Sequence, residues 1–138
     1  MENAIVKSEE NLLSERKRNA FCSKVTGSIE EKKELFNALE KCDLLLKDVV
    51  GQEISVKDVY IEKYDKVDEE TGEVRTKFRT ILFDVNGTSY ATGSYGIANV
   101  IEKMIMVFGK PTWENGIPVR VEQKKIDNNR TSLTLTLI

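Results

Sequence analysis

Three cations and an aromatic residue alternate along one segment of the sequence, in an order suited to binding a charged polymer. The segment covers residues 74–95 and reads VRTKFRTILFDVNGTSYATGSY. Because side chains alternate between the two faces of a β-strand, Arg75, Lys77 and Arg79 share one face, and Phe83 lies further along it. Cations bind phosphates, and aromatic rings stack on bases. The pattern therefore predicts a strand surface suited to a single-stranded nucleic acid.

The same segment contains a predicted hairpin turn at Asn86-Gly87. Asn-Gly favours a type I′ turn, in which both central residues take a positive φ. A two-residue loop at this position pairs Phe83 with Tyr90 across the two strands. We expect these two rings to lie on the cationic face and to stack on bases. The alternative is that the pair packs inside the sheet, as cross-strand aromatic pairs commonly do.

Further candidates for contact with nucleic acid lie outside this hairpin. Tyr60 and Tyr64 share one face of the preceding predicted strand and could add stacking surfaces. Lys124 and Arg130 lie near the last turn of the chain and could contact additional phosphates. Trp113 is the only tryptophan; it could stack as well, or it could close the bottom of the core beside a helix end.

Composition argues against an enzyme. The 138 residues include no histidine, so the usual general base at neutral pH and the commonest metal ligand are both absent. The best carboxylate cluster, Asp65, Asp68 and Glu70, falls at a predicted turn, which favours a solvated loop over a Mg²⁺-dependent enzyme. We therefore expect no catalytic residue, no metal, no cofactor and no small-molecule substrate.

The net charge of −2 argues against strong non-specific binding to duplex DNA, because that binding scales with the number of neutralised phosphates. A local basic surface on an acidic protein can still bind a nucleic acid, with a modest dependence on salt. The net charge is thus compatible with one basic face, but it excludes a protein whose whole surface is basic.

Several features predict a cytoplasmic protein. No apolar segment approaches the roughly 20 residues of a membrane helix, and the N-terminus lacks the apolar core of a signal peptide. Cys22 and Cys42 have no partner pattern, so we expect free thiols rather than a disulfide.

Two segments precede the predicted barrel. Residues 1–27 show no sustained periodicity and predict an N-terminal arm, which could be partly ordered, pack on a neighbouring subunit or lie along a phosphate backbone. Residues 28–46 predict a helix, and Ser28 with Glu31 forms a capping box at its start. Residues 28–138 as a whole predict one domain.

The rest of the chain predicts five strands over residues 52–138. Apolar alternation in the first strand slips by one near Lys57-Asp58, as at a β-bulge. A second helix, from Tyr95 to about Phe108, separates the third strand from the fourth; Ser94 or Thr92 caps it. This order is that of the oligonucleotide-binding (OB) barrel. We therefore predict a mainly β (α+β) fold, an OB-fold-like five-stranded barrel with an additional N-terminal helix; the alternative is another small mixed sheet packed by helices.

In OB barrels the ligand crosses the second and third strands, between the loop joining strands one and two and the loop joining strands four and five. Here those loops are residues 66–73 and 127–130. The second and third strands are the hairpin that contains the three cations. The predicted fold and the residue pattern therefore indicate the same surface.

Short segments spread from about Ile29 to the C-terminus are shared with a known family. They read VGQEI (50–54), DVYI (58–61), DEETG (68–72), FGKPTWE (108–114) and LTL (133–135). With these segments the chain resembles small single-stranded DNA-binding proteins encoded by phages and mobile elements of Gram-positive bacteria, including protein-primed Bacillus phages. The resemblance implies coating of displaced strands during viral replication, protection from nucleases, and removal of secondary structure, in the host cytoplasm.

A second function stays open from the residues alone. The exposed strand face, or the first helix, could dock a host protein, as in a small phage-encoded inhibitor or scaffold. Under either hypothesis the N-terminal arm is a candidate for self-association. The expected partners are therefore single-stranded DNA and further copies of the chain, with no membrane.

Overall fold

One curled β-sheet and two helices make up residues 18–24 and 26–138, the part of the chain that the computed structural model describes. In chain order the elements are β1 (Arg18–Cys22), α1 (Ile29–Glu40), β2 (Leu44–Leu45), a 3₁₀ turn (Leu46–Val49), β3 (Glu53–Val67), β4 (Val74–Asp84), β5 (Ser89–Thr92), α2 (Tyr95–Phe108), β6 (Ile117–Asp127) and β7 (Arg130–Leu137). The sheet order is β2-β5-β4-β3-β6-β7, and β1 also pairs with β3. This mainly β arrangement is consistent with the predicted OB-like fold, but the described sheet has seven strands rather than five.

Strand β3 connects the two halves of the sheet. It pairs with β4 over most of its length, while residues 53–56 pair with β6 and residues 60–64 pair with β1. The register with β4 shifts between Val56 and Asp58, which confirms the predicted bulge. Because a bulge bends a strand, the two halves of β3 can serve different neighbours. Sequence analysis did not predict β1, which falls within the expected N-terminal arm.

The hydrophobic core lies between the inner face of the sheet and α2. From α2, Ile97, Ile101 and Met104 are buried, and their spacing of four and three residues places them on one helix face. Gly109 ends the helix with a φ of 86°. Trp113 is 8% exposed and belongs to the same core; its indole Nε1 donates to the carbonyl of Gly109 at 3.0 Å. Two roles were predicted for Trp113, stacking on a base and closing the bottom of the core; the structure shows the second.

Helix α1 begins as predicted and ends earlier. The hydroxyl of Ser28 accepts the Glu31 N–H at 3.1 Å, and the Glu31 carboxylate accepts the Ser28 N–H at 3.2 Å, which confirms the capping box. The helix ends at Glu40 instead of residue 46, because Lys41 adopts an extended backbone. No α1 side chain is fully buried.

The residues after α1 pair with the edge strand β5. Leu44–Leu45 form β2 in parallel register with Tyr90 and Ala91. Two hydrogen bonds of 2.9 Å fix the approach: the Asp43 carboxylate accepts the Ser89 N–H, and the Ser89 hydroxyl accepts the Asp43 N–H. These contacts favour strand pairing over a longer helix.

The turn between β4 and β5 is longer than predicted, since β4 ends at Asp84 and β5 begins at Ser89. One oxygen of the Asp84 carboxylate accepts the backbone N–H groups of Asn86 at 2.8 Å and Thr88 at 3.0 Å. Among the described turn residues only Gly87 has a positive φ, of 85°. A type I′ turn would also require one at Asn86, so the side chain of Asp84 determines a different turn.

This turn shifts the strand register by one residue. Leu82, not Phe83, lies opposite Tyr90, and Phe83 lies opposite Ser89. The predicted Phe83–Tyr90 pair is therefore wrong. Directly opposite residues share a face, so Tyr90 accompanies Leu82 into the core while Phe83 lies on the other face of the sheet.

A buried hydrogen bond joins Tyr90 to the same turn. The phenol donates to the second oxygen of the Asp84 carboxylate at 2.9 Å, and both residues are buried. Burial, followed by the neighbouring Asp84 carboxylate, raises the pKa of Tyr90 from 10.0 to about 12. The folded pKa is thus above the unfolded value, so the stability that this phenol contributes is fully present below pH 10 and is lost as the pH rises through about 12.

We find no helix among the described residues that is long and apolar enough to cross a membrane. Cys22 and Cys42 are both free thiols.

We expect Tyr90→Phe to lower the free energy of unfolding at pH 7 by about 1.5–3 kcal/mol, because one oxygen of the buried Asp84 carboxylate loses its donor. The variant should also lose less stability than the wild type above pH 10, since it has no phenol to ionise at this position. Urea unfolding followed by circular dichroism at several pH values measures both effects. Tyr95→Phe, at an exposed tyrosine, is the control. Identical pH profiles for wild type and Tyr90→Phe would contradict the role assigned to Tyr90.

Candidate nucleic-acid interface

The outer face of the β3–β4 hairpin concentrates positive charge. On β4, Arg75, Lys77 and Arg79 alternate with the residues of the inner face. On β3, Lys66 lies opposite Arg75, and Tyr64 lies opposite Lys77. Opposite residues share a face, and Tyr60 continues the same face of β3. We call this surface the basic face and define it as Tyr60, Tyr64, Lys66, Arg75, Lys77 and Arg79; one acidic residue, the buried Glu62 opposite Arg79, lies on it as well.

The structure brings the three predicted cations of β4 together with Tyr60 and Tyr64. Both tyrosines are half-buried. Lys66 was missed by sequence analysis, because it was placed in the loop of residues 66–73, whereas β3 continues to Val67. The strand register could have revealed Lys66. If residues 68–73 form the turn, residue 67 pairs with residue 74, and Lys66 therefore pairs with Arg75.

Two acidic residues lie beside the cations of the basic face, the buried Glu62 opposite Arg79 and the exposed Glu73 near Arg75. Arg75 and Lys77 are exposed, and Arg79 is half-buried. The guanidinium of Arg75 lies 3.7 Å from the Glu73 carboxylate, and both side chains are more than 60% exposed. Exposed pairs of this kind contribute at most about 1 kcal/mol. Within residues 18–24 and 26–138, Lys66 and Lys77 form no salt bridge.

Phe83 and Tyr90 do not present the exposed stacking surfaces that we expected. Phe83 is 2% exposed and Tyr90 is 7% exposed. Phe83 does lie on the outer face, but Lys24 covers it, with the ammonium nitrogen 4.7 Å from the ring centroid. Tyr90 lies in the core because of the register shift. Neither ring is available to a base in this conformation.

The part of the outer face next to the bulge is covered by other segments of the chain. Asp58 is buried and accepts hydrogen bonds from Ser23, at 2.9 Å, and from Thr112. The backbone N–H of Ser23 also donates to the Val59 carbonyl at 3.0 Å. The basic face begins where this covering ends.

A cleft of about 400 Å³ separates α1 from the β4–β5 turn. Asn37 and Lys41 line it on the helix side, and Asn86 and Ser89 line it on the turn side. α1 therefore lies beside the end of the outer face that an OB barrel would offer to its ligand. The part of this hairpin face that stays open therefore lies on β3 and β4, away from α1.

Lys124 and Arg130 belong to the β6–β7 hairpin and are not among the residues that the pairing of β3 with β4 places on the basic face. The curl of the sheet nevertheless brings this hairpin to the start of α2, since the hydroxyl of Ser132, opposite Lys124, lies 3.4 Å from that of Ser94. The side chains of Lys124 and Arg130 are exposed, but Arg130 is engaged with Asp127, whose carboxylate accepts its Nε–H at 2.8 Å. The turn between β6 and β7 has the predicted position.

The carboxylates considered for Mg²⁺ have other contacts. Asp65 accepts the hydroxyl of Thr76 at 3.2 Å. Asp68 accepts the N–H groups of Glu70 at 2.8 Å and Thr71 at 3.2 Å. In the part of the chain that is described, no three His, Cys, Asp or Glu side chains are placed to hold a metal ion.

We expect Phe83→Ala to lower the free energy of unfolding by about 3–5 kcal/mol, because it removes a buried ring and leaves a cavity. Phe36→Ala, at a ring that is 61% exposed, should change the free energy by about 0.5 kcal/mol or less. Urea unfolding of the two variants makes the comparison. A Phe83→Ala variant as stable as Phe36→Ala would show that the Phe83 ring is not buried in solution.

The family of the chain follows from its similarity to known proteins. Residues 14–138 match the family described as phage single-stranded DNA-binding protein. The single-stranded DNA-binding protein of Bacillus phage GA-1 is 27% identical over 104 residues, which cover 73% of this chain and 61% of that relative. The aligned region thus spans about six-tenths of the length of the relative. No solved structure gives a significant match. Because the family match covers most of the chain, and agrees with the resemblance inferred from its short segments, the chain belongs to the phage single-stranded DNA-binding protein family.

Proposed function

We propose that this protein binds single-stranded DNA without sequence preference, and that the basic face is the binding surface. The observation that supports the surface most directly is the β3–β4 register, which places Tyr64 directly opposite Lys77 between two further cations of β4. Cations follow the phosphates of a strand, and a ring stacks on any base, so this combination requires no particular sequence. The family description supports the ligand.

The proposed biological role is to coat and protect displaced single strands during phage DNA replication in the host cytoplasm. Stacking on unpaired bases would also oppose secondary structure in the strand. The name of the GA-1 relative supports the ligand part of this role. The contacts described require neither a catalytic residue nor a cofactor.

We interpret β3 to β7 as the OB-type unit, with α2 between its third and fourth strands and with β1, β2 and α1 as additions. In this interpretation the usual ligand surface, across β4 and β5, is partly covered at its β5 end. DNA would then contact mainly β3 and β4. Lys124 and Arg130, on the β6–β7 hairpin, would contact further phosphates of the same strand.

The roles proposed for the N-terminal residues stay predictions. Residues 1–27 are the predicted arm for self-association, and residues 28–138 are the predicted domain. Residues 1–17 and residue 25 lie outside the described residues. Of the rest of this arm, Arg18–Cys22 pairs with β3 as strand β1.

We expect fluorescence anisotropy to show binding of labelled oligo(dT), with a slope of log K against log[salt] between about −2 and −3 for three or four neutralised phosphates. The double change Arg75→Ala with Arg79→Ala should reduce the size of the slope by about 1.4, since about 0.7 is lost per phosphate contact. Lys47→Ala with Lys103→Ala removes the same charge from exposed positions elsewhere and is the control. Equal affinities and slopes for the two double variants would contradict the assigned surface.

We expect Tyr64→Ala to weaken binding of oligo(dT) by about 1–3 kcal/mol, or about 5-fold to 150-fold, because it removes one stacking surface. Tyr95→Ala is the matched control, since Tyr95 is exposed on α2 and its ring packs edge-on against Phe78, on the other face of β4. Circular dichroism verifies that both variants fold. If the two variants bind equally well, Tyr64 does not stack on a base.

A protein-interaction module is the second candidate function. It is favoured by two large apolar side chains on the solvent side of α1, Ile29 at 66% and Phe36 at 61% exposure. Such side chains suit a helix that docks a host protein. Absence of any anisotropy change with oligo(dT) at low salt would support this candidate over the first.

A further inference from the structure

The tip of the β3–β4 hairpin contains an unfavourable pair. Lys66 and Arg75 lie directly opposite each other, and like charges at directly opposite positions destabilise a sheet. The contact of Arg75 with Glu73 is long, at 3.7 Å, and exposed. Lys66 forms no salt bridge among the described residues. The pair therefore lowers the stability of the free protein.

A depression of about 160 Å³ lies at this pair. A depression of this volume has room for several water-sized groups, and hence for a phosphate. It is lined by three cations and one carboxylate, namely Lys66, Arg75, Lys77 and Asp68. Asp68 is occupied with the turn, because one of its oxygens accepts the backbone N–H groups of Glu70 and Thr71.

We propose that this depression is a phosphate-binding site, in which Lys66, Arg75 and Lys77 hold one phosphodiester of the bound strand. The planar guanidinium of Arg75 can donate two parallel hydrogen bonds to one phosphate. The two lysines act as mobile point charges on either side of it. The identity of the ligand rests on the proposed function, whereas the anion site itself follows from the charges and the depression.

This site has a distinctive energetic consequence. A bound phosphate neutralises the repulsion between Lys66 and Arg75, so the anion stabilises the hairpin. Removing the charge of Lys66 should therefore stabilise the free protein and weaken DNA binding at the same time. A lysine that only solubilises the surface would produce neither effect. Local unfavourable contacts of this kind are expected at functional sites.

The test compares Lys66→Gln with Lys63→Gln. Lys63 is exposed on the same strand but lies opposite Phe78, on the other face of the sheet. At low salt, Lys66→Gln should raise the melting temperature by about 1–4 °C relative to Lys63→Gln. Its affinity for oligo(dT) should fall by about threefold to tenfold, with a salt slope smaller by about 0.7.

Inorganic pyrophosphate tests the anion site without DNA. At millimolar concentration it should raise the melting temperature of the wild type and of Lys63→Gln more than that of Lys66→Gln. Equal shifts in all three proteins would overturn the site, because the anion would then bind elsewhere. So would a Lys66→Gln variant that is no more stable than Lys63→Gln.

The two proposals can fail separately. If the wild type binds oligo(dT) and Lys66→Gln binds it with the same affinity and slope, the phosphate site is wrong and the proposed function stands. If the wild type does not bind oligo(dT) but pyrophosphate stabilises it through Lys66, the proposed function is wrong and the anion site stands.

Discussion

The backbone pairing of β3 with three other strands is the constraint on which the structure depends. One extra residue, Lys57, separates Val56 from Asp58 in the register with β4. The resulting bend directs the first residues of β3 to β6 and the later ones to β1. The carbonyl of Lys57 accepts the N–H of Trp113 at 2.9 Å, so the loop after α2 is fixed at the same bend. The bend in β3 therefore determines both where the loop after α2 closes the core and in which direction the β3–β4 hairpin extends.

That bend divides the outer face of the sheet into two parts with different chemistry. Near the bend, neighbouring segments supply partners for buried polar groups, as Ser23 does for Asp58, and Phe83 is covered. Further along the hairpin the covering ends, and the side chains change from apolar and acidic to basic with two tyrosines. Cations such as Lys77 can remain hydrated there, whereas burying them without partners would cost several kcal/mol. Among the described residues of this hairpin face, the cations therefore lie in the exposed part, where their charges stay hydrated.

Features set by a few neighbouring residues could be predicted from the sequence, and features set by distant contacts could not. The capping box at Ser28, the limits of α2 and the bulge at Lys57 all follow from local spacing. The register of β5 depends on which backbone N–H groups donate hydrogen bonds to the Asp84 side chain, and the turn preference of Asn-Gly does not reveal these hydrogen bonds.

β1 and β2 are too short to show a period of their own and exist because β3 and β5 offer them an edge. The cationic positions of β4 were predicted because alternation alone determines them. The burial of Phe83 depends on Lys24, which is far away in sequence.

The two residues of β2 have a consequence for the behaviour of the protein in concentrated solution. By pairing in parallel with Tyr90 and Ala91, Leu44–Leu45 occupy backbone groups of β5 that would otherwise be free to pair with a strand of another molecule. The short length of β5, four residues, means that so small a segment covers half of it. β2 then becomes the edge of the sheet in place of β5, and because it is only two residues long it offers a short template for pairing with another molecule.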